Sequence, residues 1–197
     1  GDDDAMATLA AMRALGVTVK GPADGELIID GLGLHGLKAS DTALDLGNSG
    51  TSMRLFSGLL AGQPFSTRLI GDASLMQRPM RRVTDPLRQM GANIATADAG
   101  TAPLDISPAK ALHGIDYVLP VASAQVKSAL LLAGLYAKGA TRITEPAVTR
   151  DHTERMLQAL GYPVEVHGDQ VSLEGGGSLR GGTIDVPADI SSAAFFL

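Results

Sequence analysis

The feature that most constrains this chain is an internal repeat. Three segments share one pattern: Met12-Arg13-Ala14-Leu15-Gly16-Val17-Thr18-Val19, Leu87-Arg88-Gln89-Met90-Gly91-Ala92-Asn93-Ile94 and Leu157-Gln158-Ala159-Leu160-Gly161-Tyr162-Pro163-Val164. Each reads as a helix end, a glycine at the position just past it, and then a strand. The glycines stand at 16, 91 and 161, spacings of 75 and 70. A second series with roughly the same period opens helices at residues 50–55, 123–130 and 189–196. A period of this length means a repeated supersecondary unit.

Each unit reads strand–helix–strand–helix–strand–strand. In the second unit, 43–46 is a short strand, 50–61 a helix, 65–70 a strand, 80–90 a helix, and 92–97 and 104–107 paired strands. In the third, helices are expected at 124–137 and 150–160, with strands at 141–144, 164–167 and 170–173. The first unit begins at its second helix, 3–15, followed by strands 17–20 and 26–29, without an opening strand and helix. Such units predict α/β layers with apolar helices packed inside. Hydrophobic residues make up 45% of the chain but aromatics only 4%, so the core must be aliphatic.

The charge balance narrows the partners. Sixteen basic against 21 acidic residues give a net charge of −5, which argues against a nucleic-acid binder. No apolar run approaches the ~18 residues of a membrane span, and no signal-peptide pattern is present. The chain lacks cysteine, so thiolate chemistry and disulfides are out. Its four histidines, His35, His113, His152 and His167, show no ligand spacing. The chain opens on Gly1-Asp2-Asp3-Asp4 and stops within the apolar Ala193-Ala194-Phe195-Phe196-Leu197, and both ends suggest a piece of a longer protein.

The densest chemistry lies in Leu46-Gly47-Asn48-Ser49-Gly50-Thr51-Ser52-Met53-Arg54. A strand–turn–helix of this kind presents backbone N–H groups at a helix N-terminus, where positive charge collects. Arg54, one turn in, adds a bidentate fork for phosphate or carboxylate. If the units surround an axis, the repeat-equivalent starts at 48–51, 123–125 and 189–192 converge into a polar rim. Lys127 would face that rim or solvent. Arg78 precedes Pro79, a favoured residue at a helix start, and can point at an anion. Thr149 reads as an N-cap ahead of Arg150, Asp151 and His152. For each of these, a helix cap or solvated face remains the alternative.

Five motifs in order carry a family resemblance: Leu46 to Arg54, Gly71-Asp-Ala-Ser-Leu-Met-Gln-Arg-Pro-Met80, Val121-Ala-Ser-Ala-Gln-Val-Lys-Ser128, Thr149-Arg-Asp-His-Thr-Glu-Arg-Met156 and Val186-Pro-Ala-Asp-Ile-Ser-Ser192. The chain resembles the 5-enolpyruvylshikimate-3-phosphate (EPSP) synthases, with Ala188 where glycine is common. The resemblance implies an enolpyruvyl transferase-like domain of repeated βαβαββ units, an inside-out α/β barrel with buried helices and sheets outside. Residues 1–187 would be most of one three-unit domain lacking its first strand and helix, and 188–197 the start of the crossing to a second domain. The implied reaction adds the 5-hydroxyl of shikimate 3-phosphate to phosphoenolpyruvate and releases phosphate, in chorismate and aromatic amino acid biosynthesis.

By the same resemblance, Ser123, Ala124, Gln125, Thr149 and Arg150 would hold shikimate 3-phosphate. Asn48, Gly50, Thr51, Arg78 and Gln125 would hold phosphoenolpyruvate, and Gly50 would contact the inhibitor glyphosate. No cofactor or metal is implied, and no nucleic-acid or membrane partner. The acid–base carboxylates would lie on the other domain, so this segment alone is expected not to turn over. The parent is expected to be cytoplasmic and monomeric. The alternatives are the related UDP-N-acetylglucosamine enolpyruvyl transferase, which typically uses a cysteine loop, and a non-catalytic ligand-binding or scaffold module.

Overall fold

A computed structural model describes residues 2–186 of the chain. Its elements follow the repeat. The first unit contributes α1 (Asp2–Ala14), β1 (Thr18–Ala23) and β2 (Glu26–Asp30). The second contributes β3 (Leu44–Asp45), α2 (Gly50–Ala61), β4 (Thr67–Ile70), α3 (Arg81–Gln89), β5 (Asn93–Ala95) and β6 (Leu104–Ser107). The third contributes β7 (Asp116–Val118), α4 (Ala124–Gly134), β8 (Ala140–Thr144), α5 (His152–Ala159), β9 (Glu165–His167) and β10 (Gln170–Glu174). Strand β7 opens the third unit in the place that β3 holds in the second.

The two complete units have the same sheet. Strand order is β3-β4-β6-β5 in one and β7-β8-β10-β9 in the other. In each, the first pair is parallel and joined through a helix, and the remaining pairs are antiparallel. The first unit supplies the antiparallel pair β1–β2 alone, the counterpart of β5–β6. The glycines at the three helix ends adopt φ of 91° at Gly16, 98° at Gly91 and 82° at Gly161. That left-handed turn lets each helix stop and the strand depart at the same angle, which is why the spacing recurs.

The sheets have one covered face. In β4, Thr67 and Leu69 are buried while Arg68 is exposed; in β8, Thr141 and Ile143 are buried while Arg142 is exposed. This period-two alternation seats each sheet on helices and turns its other face outward. Helices α2 and α4 form the centre. Met53, Phe56 and Leu60 of α2 meet a helix α4 that is buried nearly all round, through Val126, Ala129, Leu130, Leu131 and Ala133. At the crossing the backbones touch: a Cβ on Gly58 would come within 2.0 Å of the Ala129 carbonyl oxygen. Glycine is required there to bring the two helix N-termini side by side.

Several local expectations change. Pro79 does not open α3; residues 75–77 form a 3₁₀ turn, Arg78 is extended, and the helix begins at Arg81. The last helix starts at His152 rather than 150, because Asp151 takes the cap position. Strand β3 is two residues long, β4 begins at Thr67, and β5 is limited to Asn93–Ala95. No helix among the described residues is long and apolar enough to cross a membrane.

Candidate anion-binding site

The N-termini of α2 and α4 lie together and are capped in the same way. Ser49 caps α2, its hydroxyl accepting from Ser52 N–H at 3.2 Å, and Ser123 caps α4, accepting from Val126 N–H at 3.3 Å. Capping satisfies one orphan N–H at each tip and leaves others facing the cleft between them. Three side chains join the tips. Arg54 Nη1 donates to Gln125 Oε1 at 2.9 Å and to the Gly50 carbonyl at 2.9 Å. Gln125 Nε2 donates to Thr51 Oγ1 at 2.7 Å. Two of the three helix starts expected to converge therefore do so; the third, 189–192, lies outside the described residues.

A second chain of bonds fixes Arg78. Asp72 accepts from Asn48 Nδ2 at 2.7 Å and from the Leu75 N–H at 2.7 Å. Asn48, held this way, presents its Oδ1 to Arg78 Nη2. The Leu75 amide and then the Asn48 amide, with the Arg78 charge beyond, hold the Asp72 carboxyl below its ordinary pKa, against a smaller opposing effect of desolvation. Arg54 and Arg78 flank Gly50 so closely that a Cβ there would lie 2.8 Å and 2.9 Å from their Nη1 atoms. Burial, then the neighbouring charges of Arg78 and Arg82, push the Arg54 guanidinium below its usual pKa. Guanidinium groups set this close repel one another, and an anion between them would relieve that repulsion.

The adjoining cleft is lined by Thr51, Leu55, Ala124, Gln125, Ser128, Arg150, His152 and Thr153. Its lining draws members from both candidate sets, Thr51 and Gln125 from one and Ala124, Gln125 and Arg150 from the other, with His152 beside them; Asn48, Gly50, Arg78 and Ser123 are not part of it. Thr149 is not among these lining residues. It does not cap α5; its hydroxyl and backbone N–H both donate to the Glu145 carboxylate.

Lys127 corrects the sequence reading outright. It faces neither rim nor solvent, but is 1% exposed and paired with Glu145 at 3.0 Å and Glu154 at 2.6 Å. Burying three charges is costly unless they compensate one another, and removing one partner of such a set typically costs about 3–5 kcal/mol. Sequence reasoning also missed Asp72, Glu145 and Glu154. Asp72 and Glu154 stand inside the quoted motifs Gly71 to Met80 and Thr149 to Met156; Glu145, directly after β8, carries no local signal.

The fold is a mixed α/β repeat that gathers two helix tips and guanidinium groups at one place, a candidate site for a small anion. The chain belongs to the EPSP synthase family: the family model for EPSP synthase (3-phosphoshikimate 1-carboxyvinyltransferase) matches residues 2–197. It is 68% identical over 194 residues to the 3-phosphoshikimate 1-carboxyvinyltransferase of Alkalilimnicola ehrlichii, and 66% identical over 195 residues to that of Methylococcus capsulatus. These alignments take in 98% and 99% of the chain but 44% and 45% of the relatives. An EPSP synthase structure from Acinetobacter baumannii superposes with a TM-score of 0.94 at 58% identity, over 98% of this chain and 44% of that one. The chain thus spans less than half the length of the relatives it matches.

Proposed function

We propose that this segment is the substrate-cradling part of an enzyme that transfers the enolpyruvyl group of phosphoenolpyruvate to the 5-hydroxyl of shikimate 3-phosphate. The observation that carries the reading is the Arg54–Gln125–Thr51 bridge between two capped helix tips, with Arg78 held beside it. Asn48, Gly50, Thr51, Arg78 and Gln125 line the place for phosphoenolpyruvate. Ser123, Ala124, Gln125, Thr149 and Arg150 take shikimate 3-phosphate, the Arg150 guanidinium toward its phosphate.

Chemically, this wall supplies charge. The 5-hydroxyl oxygen gives up its proton and bonds to C2 of phosphoenolpyruvate while C3 takes up a proton and the C2–C3 double bond is lost. The tetrahedral adduct then expels phosphate and releases a proton from C3, restoring the double bond as a vinyl ether. Guanidinium groups and helix N–H donors stabilise the phosphate as it leaves. The proton-transfer carboxylates belong to the part of the family protein outside this chain, so residues 1–187 form most of one domain and closure on the second completes the site.

The test is binding. Isothermal titration of the chain with shikimate 3-phosphate should give a saturable isotherm, and UDP-N-acetylglucosamine none. Tighter binding of the nucleotide sugar would transfer the segment to the related transferase. No isotherm with shikimate 3-phosphate, for the chain and for a full-length family protein carrying it, would leave only a scaffold role. Purified chain given both substrates should release no phosphate above background.

A further inference from the structure

The buried Lys127–Glu145–Glu154 cluster has no direct role in the proposed reading, yet it ties helix α4 to the segment that carries Thr149. Lys127 lies one turn inside α4, its backbone N–H bonded to the Ser123 carbonyl at 3.1 Å. Its Nζ reaches Glu145, just after β8, and Glu154, in the first turn of α5. Glu145 is itself anchored by a bond from its N–H to the Asp169 carbonyl at 2.9 Å. Its carboxylate does three things at once: Oε1 accepts from Lys127 and from the Thr149 hydroxyl, and Oε2 faces the Thr149 N–H at 3.4 Å. A second tie, Thr153 Oγ1 to Ser128 Oγ at 2.7 Å, clamps α5 to α4 beside it. Glu154 Oε2 finds no partner in the interior.

A purely structural ion pair would need one carboxylate. Here one lysine holds two, and an oxygen of Glu154 is left buried without a partner, a poor arrangement for stability alone. What the second carboxylate adds is a rigid seat for Thr149, and with it the direction of Arg150, which is exposed and lies on a connection of seven residues between β8 and α5. We propose that Glu145, held by Lys127, is a positioning residue: it sets Thr149 and Arg150 against the Ser123–Gln125 tip for the phosphate-bearing substrate. This rests on the assignment of shikimate 3-phosphate to that wall, and extends it to a residue that never touches the ligand.

The test compares two substitutions that remove the same charge from the same lysine. In a full-length family protein carrying this segment, Glu145→Gln should raise KM for shikimate 3-phosphate on the order of tenfold, the worth of one charged hydrogen bond. KM for phosphoenolpyruvate should stay within about twofold. Glu154→Gln should leave both within about twofold, since it does not contact Thr149. A glutamine at 145 turns an NH₂ toward one of its three donors, so it cannot serve them all. Glu145→Asp keeps the charge and withdraws the carboxylate by one methylene; it should give the same selective rise, and it serves if the glutamine variant does not fold. In the double variant with Thr149→Val, the Glu145 effect should vanish. Equal KM changes for both substrates, or equal effects of Glu145→Gln and Glu154→Gln, would overturn the positioning role. A wild-type protein that does not bind shikimate 3-phosphate would instead overturn the substrate assignment beneath it.

Discussion

Gly58→Ala probes the contact on which the site is built. A carbon meets a carbonyl oxygen comfortably at about 3.3 Å. The new methyl would sit 2.0 Å from the Ala129 oxygen and 2.7 Å from its carbonyl carbon. Both belong to the backbone of α4, so no side chain can swing aside, and α2 and α4 must part by about 1.3 Å. Overpacking of this kind costs about 1–3 kcal/mol and sometimes more. Replacing a mid-helix glycine by alanine returns about 1 kcal/mol of helix propensity. With backbone on one side of the clash, the upper end of the packing cost applies, leaving a net loss of about 2 kcal/mol. For a chain of this size that lowers Tm by roughly 4–8 °C. Thermal melts of the chain and its variant by circular dichroism, with reversibility checked on cooling, measure it. The Gln125–Thr51 and Arg54–Gln125 bonds span the same interface, so affinity for shikimate 3-phosphate should fall along with Tm. A variant that melts at or above the parent would refute the backbone-to-backbone crossing.

Gly50→Ala should behave oppositely. Its methyl meets only the far ends of Arg54 and Arg78, which can move, so Tm should hold or rise by up to about 4 °C. The guanidinium groups displaced would be those facing the anion, and in a full-length family protein glyphosate inhibition should weaken more than KM for phosphoenolpyruvate rises; equal losses in steady-state kinetics would contradict this. Part of the acid sensitivity should trace to Asp72, alongside Asp105, which Arg68 holds down in the same way. The Asp72 carboxyl is held below its ordinary pKa, so the stability it contributes is complete above the unfolded value of about 3.9 and is lost as pH falls through the lower folded one. Asp72→Asn should therefore flatten the dependence of Tm on pH below about 4 while leaving its slope at neutral pH unchanged. An unchanged acid limb in the variant would remove Asp72 from the account.

The repeat was legible because its punctuation is local. A glycine that ends a helix with positive φ depends on its immediate neighbours, so Gly16, Gly91 and Gly161 mark three equivalent corners before any packing is known. Helix α2 and the strand pair β5–β6 follow from the same short-range rules, and the meeting of two helix starts follows from the symmetry of the units. The family motif was equally visible, since Leu46 to Arg54 is contiguous. Pro79 and Thr149 are residues suited to a helix start that do not stand at one, because tertiary contacts claim their segments: Arg78 is extended and bonds to Asn48, and Thr149 bonds to Glu145.

What tertiary structure alone decided is where Lys127 goes. Beyond Gln125 and Ser128 its helix is made of Ala, Val, Leu and Gly, and that pattern leaves a cation's destination open. The answer lies in Glu145 and Glu154, which reach it only when β8 and α5 fold back over the helix. Local residues determine where elements begin and stop, because the forces involved act within a turn. Which charges meet in the interior depends on packing between distant segments, and burial turns that meeting from a weak preference into a strict requirement.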